Sequence, residues 1–153
     1  MGLLIFRNYR KSREKRLAAR QKARLAKQGA ASKVNDLVSA LQMLEIKVNA
    51  TAQKVSQEDA APLFDGLSKA KRLIDQGAQK YSELSHSAGD PEKPGTGVPQ
   101  LEVIAQEYQG VINTLREGNE ELNKTEERIT ALQNAIESFS GRLDAVNAAI
   151  EEA

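Results

Sequence analysis

One stripe of apolar side chains runs through the last third of the chain. Its positions alternate at three and four residues: Leu101, Ile104, Tyr108, Val111, Leu115, Gly118, Leu122, Thr125, Ile129, Leu132, Ile136, Phe139, Leu143, Val146 and Ile150. Only Gly118 and Thr125 depart from the apolar pattern. This step averages 3.5 residues and keeps one stripe of a supercoiled helix facing a partner. We predict one continuous helix over residues 99–152, roughly 80 Å long, whose seam, including Tyr108 and Phe139, lies in a core.

Two further stretches carry the same kind of seam. The first consists of Val34, Leu37, Leu41, Leu44, Val48, Thr51 and Val55. The second consists of Leu63, Leu67, Ala70, Ile74, Gly77, Tyr81 and Leu84. Val55 and Leu63 are eight residues apart, one more than a heptad, so the phase of the seam changes between them. A turn or kink near residues 56–61 is therefore expected.

Two packings are compatible with these seams. In one, residues 33–86 form a single kinked helix that folds back on residues 99–152 as a long hairpin. In the other, a turn near residues 56–61 produces three antiparallel helices. Ser56 or Asp59 can cap a helix there, and Pro62 is tolerated in a first turn, so these residues favour three helices. Both packings bury the seams within one chain.

A loop is predicted at residues 85–98, which contain three glycines and two prolines. Its polar composition suggests a surface segment that tolerates substitution. Pro99 is suited to open the next helix. The expected fold is an all-α antiparallel helical bundle or coiled-coil hairpin with three long helical segments, comprising a basic arm over residues 1–30 and a helical body over residues 31–153.

Charge is distributed unevenly along the chain. Residues 7–27 contain ten bases and one acid, Glu14, whereas the chain from Gln28 onward contains 12 bases and 20 acids. Such asymmetry indicates that the basic arm meets an anionic partner. Leu17 and Leu25 are the only large apolar residues between 7 and 28, so we expect a solvated helix. Gly29 and the following Ala-Ala-Ser mark a place where the arm could hinge or the body could begin, with Ser32 as a candidate N-cap.

The candidate site is this arm together with the apolar tip that precedes it. Its residues are Leu3, Leu4, Ile5, Phe6, Arg7, Arg10, Lys11, Arg13, Lys15, Arg16, Arg20, Lys22, Arg24 and Lys27. Bases beside a short apolar run are typical of the cytoplasmic flank of a membrane span, although four apolar residues are far short of the roughly 20 that a span needs. We therefore expect a protein at the cytoplasmic face of a membrane, peripherally attached to an anionic surface.

Two other interpretations of the arm stay open. Its bases could neutralise the phosphates of nucleic acid or the ribosome, although Phe6 and Tyr9 are the only residues there that could stack on bases. The arm could also be solvated and have no specific role. The helices could bind a protein partner, including a second copy of the chain.

Nothing in the sequence favours catalysis. The chain has no cysteine, and its only histidine, His86, lies at the edge of the predicted loop. The acid pairs Glu120-Glu121, Glu126-Glu127 and Glu151-Glu152 fall off the seam and are expected on a solvated face. No phosphate loop, metal-binding helix or nucleophile elbow is present. We expect no enzymatic activity, no metal, no cofactor and no small-molecule substrate.

The arrangement of the chain resembles one family. An apolar tip precedes Tyr-Arg-Lys-x-Arg-x-Lys-Arg-Leu-Ala-Ala-Arg (residues 9–20), and the helices are separated by Asp-Ala-Ala-Pro-Leu (residues 59–63). This is similar to the cytoplasmic coiled-coil tail of actinobacterial TPM-domain membrane proteins, over most of residues 3–153. The TPM domain and a full membrane helix are absent, so no activity or functional residue is carried over. The resemblance implies a truncated or stand-alone relative of the tail.

Overall fold

The structure, a computed structural model, describes residues 2–87 and 89–152. Within them three helices pack against one another: α1 spans Gly2–Ala52, α2 spans Gln57–Ser87 and α3 spans Val98–Glu152. No strand occurs among these described residues. The predicted all-α helical bundle is confirmed, and so is its three-helix form, because α1 and α2 are separate helices.

Ser56 caps α2, and it is one of the two candidate caps, Ser56 and Asp59, that the sequence offered. The backbone N–H of Asp59 donates to Ser56 Oγ at 3.2 Å, and the N–H of Ala60 donates to Ser56 O at 2.9 Å. This side-chain cap satisfies one of the amides that a helix start leaves without a partner. The turn occupies residues 53–56, slightly earlier than expected, so Pro62 lies inside α2 and not in its first turn.

α1 continues without interruption through Gly29 and Ser32, so the predicted N-cap at Ser32 is wrong. Packing explains why no break occurs. Ala30 is fully buried, and a Cβ built on Gly29 would lie 3.5 Å from Ile112 Cδ1 of α3. Small residues here allow α1 to approach its neighbour, and that packing outweighs the weak helix propensity of glycine.

The chain divides into two compact units. The first combines the residues up to Val38 with Leu73–Glu117. In it α2 and α3 are antiparallel, because Gly77 faces Leu115 while Tyr81 packs against Tyr108, with ring centroids 5.7 Å apart and the rings tilted by 55°. The buried apolar side chains of this unit are Ala23, Ala30, Leu37, Ile74, Leu84, Leu101, Ile104, Ala105, Tyr108, Val111, Ile112 and Leu115. The seam of α3 is thus covered here, as predicted.

The second unit combines Ser39–Arg72 with the residues from Gly118 onward. Its buried side chains include Leu41, Leu44, Val48, Thr51, Ala60, Leu63, Ala70, Leu122, Thr125 and Ile129. Thr125 is fully buried, and its hydroxyl donates to Glu121 O at 2.9 Å. Opposite it lies Gly66, where an added Cβ would overlap Thr125 Oγ1. Thr125, a small residue of the α3 seam, therefore packs against a glycine, and α2 and α3 come close together at this point.

The seam of α3 loses its cover beyond Ile129. Phe139, which the sequence predicted to lie in the core, is 68% exposed, and that prediction is wrong. Contacts of α3 with the other helices of this unit include Lys47 Nζ to Glu126 Oε1 at 3.1 Å and Arg128 Nη1 to Pro62 O at 3.5 Å. The hairpin of α1 and α2 turns at residues 53–56, and α3 continues beyond that turn. The end of the α3 seam is therefore not buried within the chain, contrary to the expectation that all the seams would be.

The connection between α2 and α3 was predicted to be a surface loop, but part of it is buried. Its exposed residues include Asp90 and Glu92–Gly95, but Pro91 and Thr96 are buried. Thr96 Oγ1 donates to Lys93 O at 2.9 Å, and Gly95 adopts the left-handed conformation with φ of 82°. Tolerance to substitution is therefore not expected at Pro91 or Thr96.

Candidate anion-binding arm

The predicted apolar tip is a helical segment exposed to solvent. Leu3 is 84% exposed, and Leu4, Ile5 and Phe6 are 63–70% exposed. Isolated surface leucines are ordinary, but four consecutive large apolar side chains left bare indicate an interaction site. Within the described residues, no helix combines the length and apolarity needed to cross a membrane.

The ten predicted bases fall into two groups. Seven are exposed, namely Arg7, Arg10, Lys11, Arg13, Lys15, Arg16 and Lys22, and three are half-buried, namely Arg20, Arg24 and Lys27. The expected solvated helix is therefore confirmed up to about residue 18 and wrong beyond it. Burial of Ala23 and Ala30 in the first unit accounts for the difference, because alanine packs a helix closely without a large apolar side chain.

Three arginines of the arm continue the packing face of α1. The α1 seam, followed toward the N-terminus in three-four steps, passes from Val34 through alanine and Lys27 to Arg20, Arg16 and Arg13. We call Arg13, Arg16 and Arg20 the arginine stripe. The same steps then reach Tyr9 and Phe6. Followed toward the N-terminus, the face of α1 that packs in the core therefore carries the arginine stripe first and the aromatic residues Tyr9 and Phe6 after it.

A groove of about 350 Å³ lies between this stripe and the connection that precedes α3. Its lining consists of Tyr9, Ser12, Arg13, Arg16, Leu17, Arg20, Pro94 and Gly95. The Nε atom of Arg20 is buried there without a hydrogen-bond partner among the described residues. Buried donors usually find an acceptor, and this one has none. The guanidiniums of Arg13 and Arg16, which belong to exposed residues lining the groove, can bind an anionic oxygen.

Arg24 differs from the other bases of the arm because its acidic partner lies outside the arm, in the connection between α2 and α3. Its Nε donates to Glu92 Oε1, and its Nη2 donates to Glu92 Oε2 at 2.6 Å, giving a two-pronged contact. This hydrogen bond lowers the pKa of Glu92 and raises that of Arg24, and the charge of Arg20 lowers the pKa of Glu92 further. Arg24 therefore fastens the α2–α3 connection to α1, placing Pro94 and Gly95 against the groove.

The sequence-based site omitted several residues of the groove. The residues of the groove that were not among the predicted site residues are Tyr9, Ser12, Leu17, Pro94 and Gly95, although Tyr9 was considered as a stacking residue. Extending the α1 seam into the arm would have identified Tyr9 and the arginine stripe as one face. No sequence pattern predicts that Pro94 and Gly95 lie beside that face, because their position depends on the fold and on the Arg24–Glu92 contact.

His86 and the glutamate pairs, which were considered for catalysis and metal binding, lie at the surface. His86 is exposed, with its Nδ1 2.7 Å from Ser82 O. Five of the six residues in the glutamate pairs are exposed, and the sixth, Glu121, is half-buried beside Lys124 at 3.6 Å. Across residues 2–87 and 89–152, His, Asp and Glu side chains do not cluster in a way that could hold a metal ion.

Comparison of the chain with protein-family models, with curated proteins and with solved structures finds no match. The function is therefore inferred from the residues of the arm and of the groove.

Proposed function

We propose that this chain is a non-enzymatic interaction or scaffold protein that attaches to the cytoplasmic face of a membrane through its N-terminal arm. The observation that carries the proposal is the exposed helix of residues 2–18, in which a bare apolar tip precedes bases with a single acid among them. Such a helix can place apolar side chains at the boundary of the acyl chains while its bases meet anionic headgroups.

The magnitudes support reversible attachment. Full burial of a Leu, Ile or Phe side chain contributes about 1.5–3 kcal/mol, and each base near an anionic leaflet contributes about 1 kcal/mol. The tip offers four such side chains, and five of the bases, Arg7, Arg10, Lys11, Arg13 and Lys15, lie within the next nine residues. Successive residues of a helix point about 100° apart, so the four tip side chains are not all fully buried in a surface at once, and the tip alone is a weaker anchor than four full burials would make it. Together they make attachment dependent on anionic lipid.

The groove gives the arm a place for one phosphate group. Guanidinium groups present paired N–H donors that match phosphate oxygens, and Arg20 Nε is a buried donor without a partner. The carboxylate of Glu92 is near enough to Arg20 for the charge of Arg20 to lower its pKa, so it offsets part of the positive charge of the arginine stripe. The three guanidiniums of the stripe outweigh this single carboxylate, so we expect a monoanionic lipid phosphate to bind more weakly here than a phosphomonoester headgroup with two charges.

Co-sedimentation with vesicles tests the attachment. The test variant replaces Arg7, Arg10, Lys11, Arg13 and Lys15 by Gln, and the matched control replaces the exposed body residues Lys54, Lys69, Lys71, Arg72 and Lys80 by Gln. Both lose five positive charges. We expect the wild type and the control to pellet with vesicles that contain anionic lipid, and the arm variant to stay in the supernatant. Binding that ignores anionic lipid content, or equal loss in both variants, would reject the proposal.

The second candidate function is nucleic-acid or ribosome binding through the same arm. It is favoured by the ten bases accompanied by one acid over residues 7–27. Phosphate contacts release condensed counterions, so affinity for nucleic acid falls steeply with salt. A gel-shift series with duplex and single-stranded probes at increasing salt distinguishes the two functions. A salt-sensitive shift without vesicle binding would support the second.

The resemblance to the cytoplasmic tails of TPM-domain membrane proteins agrees with a position beside a membrane. It remains a prediction, and the proposal does not depend on it. The arm's exposure and charge support membrane attachment whether or not the chain is related to those tails.

A further inference from the structure

The groove beside the arginine stripe brings three guanidiniums to one wall. Arg13, Arg16 and Arg20 follow one another at three and four residues, and side chains at these spacings are neighbours on a helix, about 5–6 Å apart at their Cβ atoms. Pro94 and Gly95 of the α2–α3 connection line the same groove. Long arginine side chains on one helix face can converge on a single small anion that lies between the helix and the connection.

Arg20 provides the observation that points to a ligand. Its Nε is buried and has no hydrogen-bond partner among the described residues. Glu92 does not fill that role, because its carboxylate makes the two-pronged contact with Arg24. A buried guanidinium N–H without an acceptor costs free energy, which an incoming anionic oxygen recovers.

The connection opposite the stripe is held in place by its own contacts. The backbone N–H of Glu92 donates to Asp90 Oδ1 at 2.9 Å, and Thr96 Oγ1 donates to Lys93 O at 2.9 Å. Arg24 then ties Glu92 to α1. A wall that is already fixed loses little freedom when a ligand binds, so the groove is preorganised.

The side chains of the groove favour a phosphate group that carries one ester bond. A phosphomonoester presents three free oxygens and about 1.5–2 negative charges at pH 7, whereas a phosphodiester presents two free oxygens and one charge. Guanidiniums donate paired N–H groups to such oxygens, and the stripe supplies three guanidiniums. The hydroxyl groups of Tyr9 and Ser12 also line the groove and can bond to a phosphate oxygen or to the alcohol portion of the ester.

We infer that the groove between the arginine stripe and residues 94–95 binds a phosphomonoester group, either as the headgroup of an anionic lipid or as a free phosphate ester of a small alcohol. As a lipid site it rests on the membrane attachment proposed above and adds headgroup selectivity to it. Binding of the free ester does not depend on that attachment. Arg16 and Arg20 are not among the five bases whose replacement tests attachment, so the two properties can be examined separately.

Calorimetric titration of the full chain with soluble esters tests the site directly. The probes are glycerol 3-phosphate, a monoester, and glycerophosphoglycerol, a diester with the same alcohol. We expect the monoester to bind about tenfold more tightly or better. Arg16→Gln, which removes one charge-assisted contact, should weaken monoester binding by about tenfold or more. Arg20→Lys, which keeps the charge and removes Nε, should weaken it as well.

Lys80→Gln is the matched control, because it removes one positive charge at an exposed position of α2 and should leave the titration unchanged. Circular dichroism melting of each variant checks that the fold is retained.

Vesicle binding distinguishes the two sources of the phosphate group. The vesicles contain phosphatidate, a monoester lipid, or phosphatidylglycerol, a diester lipid, in amounts adjusted to the same surface potential. As a lipid site, the groove should make the wild type bind phosphatidate vesicles about tenfold more tightly, and Arg16→Gln should bind both kinds equally. Selectivity for these vesicles without free-ester binding assigns the groove to a lipid headgroup, and the reverse assigns it to a soluble ester.

No preference for the monoester in either measurement, or a preference that survives both Arg16→Gln and Arg20→Lys, would overturn the inference. Equal binding to the two kinds of anionic vesicle, with no monoester preference in the titration, would leave the attachment of the arm intact while this site fails. Failure to bind either kind of vesicle, with the free ester still bound, would reject the attachment and keep the site.

Discussion

Gly66 of α2 lies so close to Thr125 of α3 that a Cβ on the glycine would overlap the threonine hydroxyl oxygen. Thr125 is fully buried and its hydroxyl is bonded to Glu121 O, so it has little freedom to move away. We predict that Gly66→Ala lowers the free energy of unfolding by about 1–2 kcal/mol, because overpacking exceeds the gain in helix propensity. Urea denaturation followed by circular dichroism measures the change.

Two further variants make this test specific. Adding Thr125→Ala to Gly66→Ala should recover part of the lost stability, because the overlapping oxygen is gone and the two Cβ atoms would be about 3.4 Å apart. Gly110→Ala is the matched control, since a Cβ there meets nothing within 4 Å. It should raise stability by up to about 1 kcal/mol. If Gly66→Ala stabilised the protein as Gly110→Ala does, the close approach of α2 and α3 would be refuted.

The second prediction compares a covered and a bare position of the same seam. Leu115 is fully buried, so Leu115→Ala should lower the free energy of unfolding by about 2–5 kcal/mol. Leu143 is half-exposed, so Leu143→Ala should change it by no more than about 0.5 kcal/mol. Equal losses at both positions would mean that the core extends along the whole of α3.

The third prediction concerns pH and the Arg24–Glu92 contact. The guanidinium of Arg24 lowers the pKa of Glu92 in the folded protein. The stability that this pair contributes is therefore fully present above the ordinary carboxyl pKa of about 4.3 and is lost as pH falls through the lowered value. The raised pKa of Arg24 has no effect in this range. Unfolding of the wild type and of Glu92→Gln, followed from neutral to acid pH, measures the difference.

We expect Glu92→Gln to be the less stable of the two at neutral pH and the difference to vanish in acid. The effect should be modest and should weaken with salt, because the two side chains are 40% and 54% exposed. Glu14→Gln, which removes one carboxylate beside Arg10 at an exposed position, is the control for the loss of a single acidic charge. A gap between wild type and Glu92→Gln that widened as pH fell would contradict the assignment.

Local sequence patterns predicted the helices because their signals are themselves local. The three-four spacing identified the seams, the extra residue between Val55 and Leu63 identified the turn, and the side chain of Ser56 supplied the cap. The continuity of α3 through Gly118 also followed, because the phase of its seam does not change there. Each of these features depends on residues that are neighbours in the chain.

Features that depend on distant residues were not predictable in the same way. Periodicity shows that Phe139 belongs to a seam, but whether the seam is covered depends on where the opposing helices end. Ala23 and Ala30 were also not predicted as core residues, because alanine is not a large apolar residue. Their small side chains allow α1 to pack closely against its neighbours. The groove needs Pro94 and Gly95 beside the arginine stripe, and their position depends on the fold and on the Arg24–Glu92 contact.

The most direct test of membrane attachment is fluorescence from the tip of the arm. The chain has no tryptophan, so Phe6→Trp introduces a single reporter at a position that is 63% exposed. Phe139→Trp, at a position 68% exposed near the end of α3, is the matched control. With vesicles that contain anionic lipid, the emission of Phe6→Trp should shift to shorter wavelength and be quenched by brominated acyl chains, while that of Phe139→Trp should be unaffected by the vesicles. An unchanged spectrum for Phe6→Trp, or the same shift with uncharged lipid, would contradict the attachment of the arm to an anionic membrane surface.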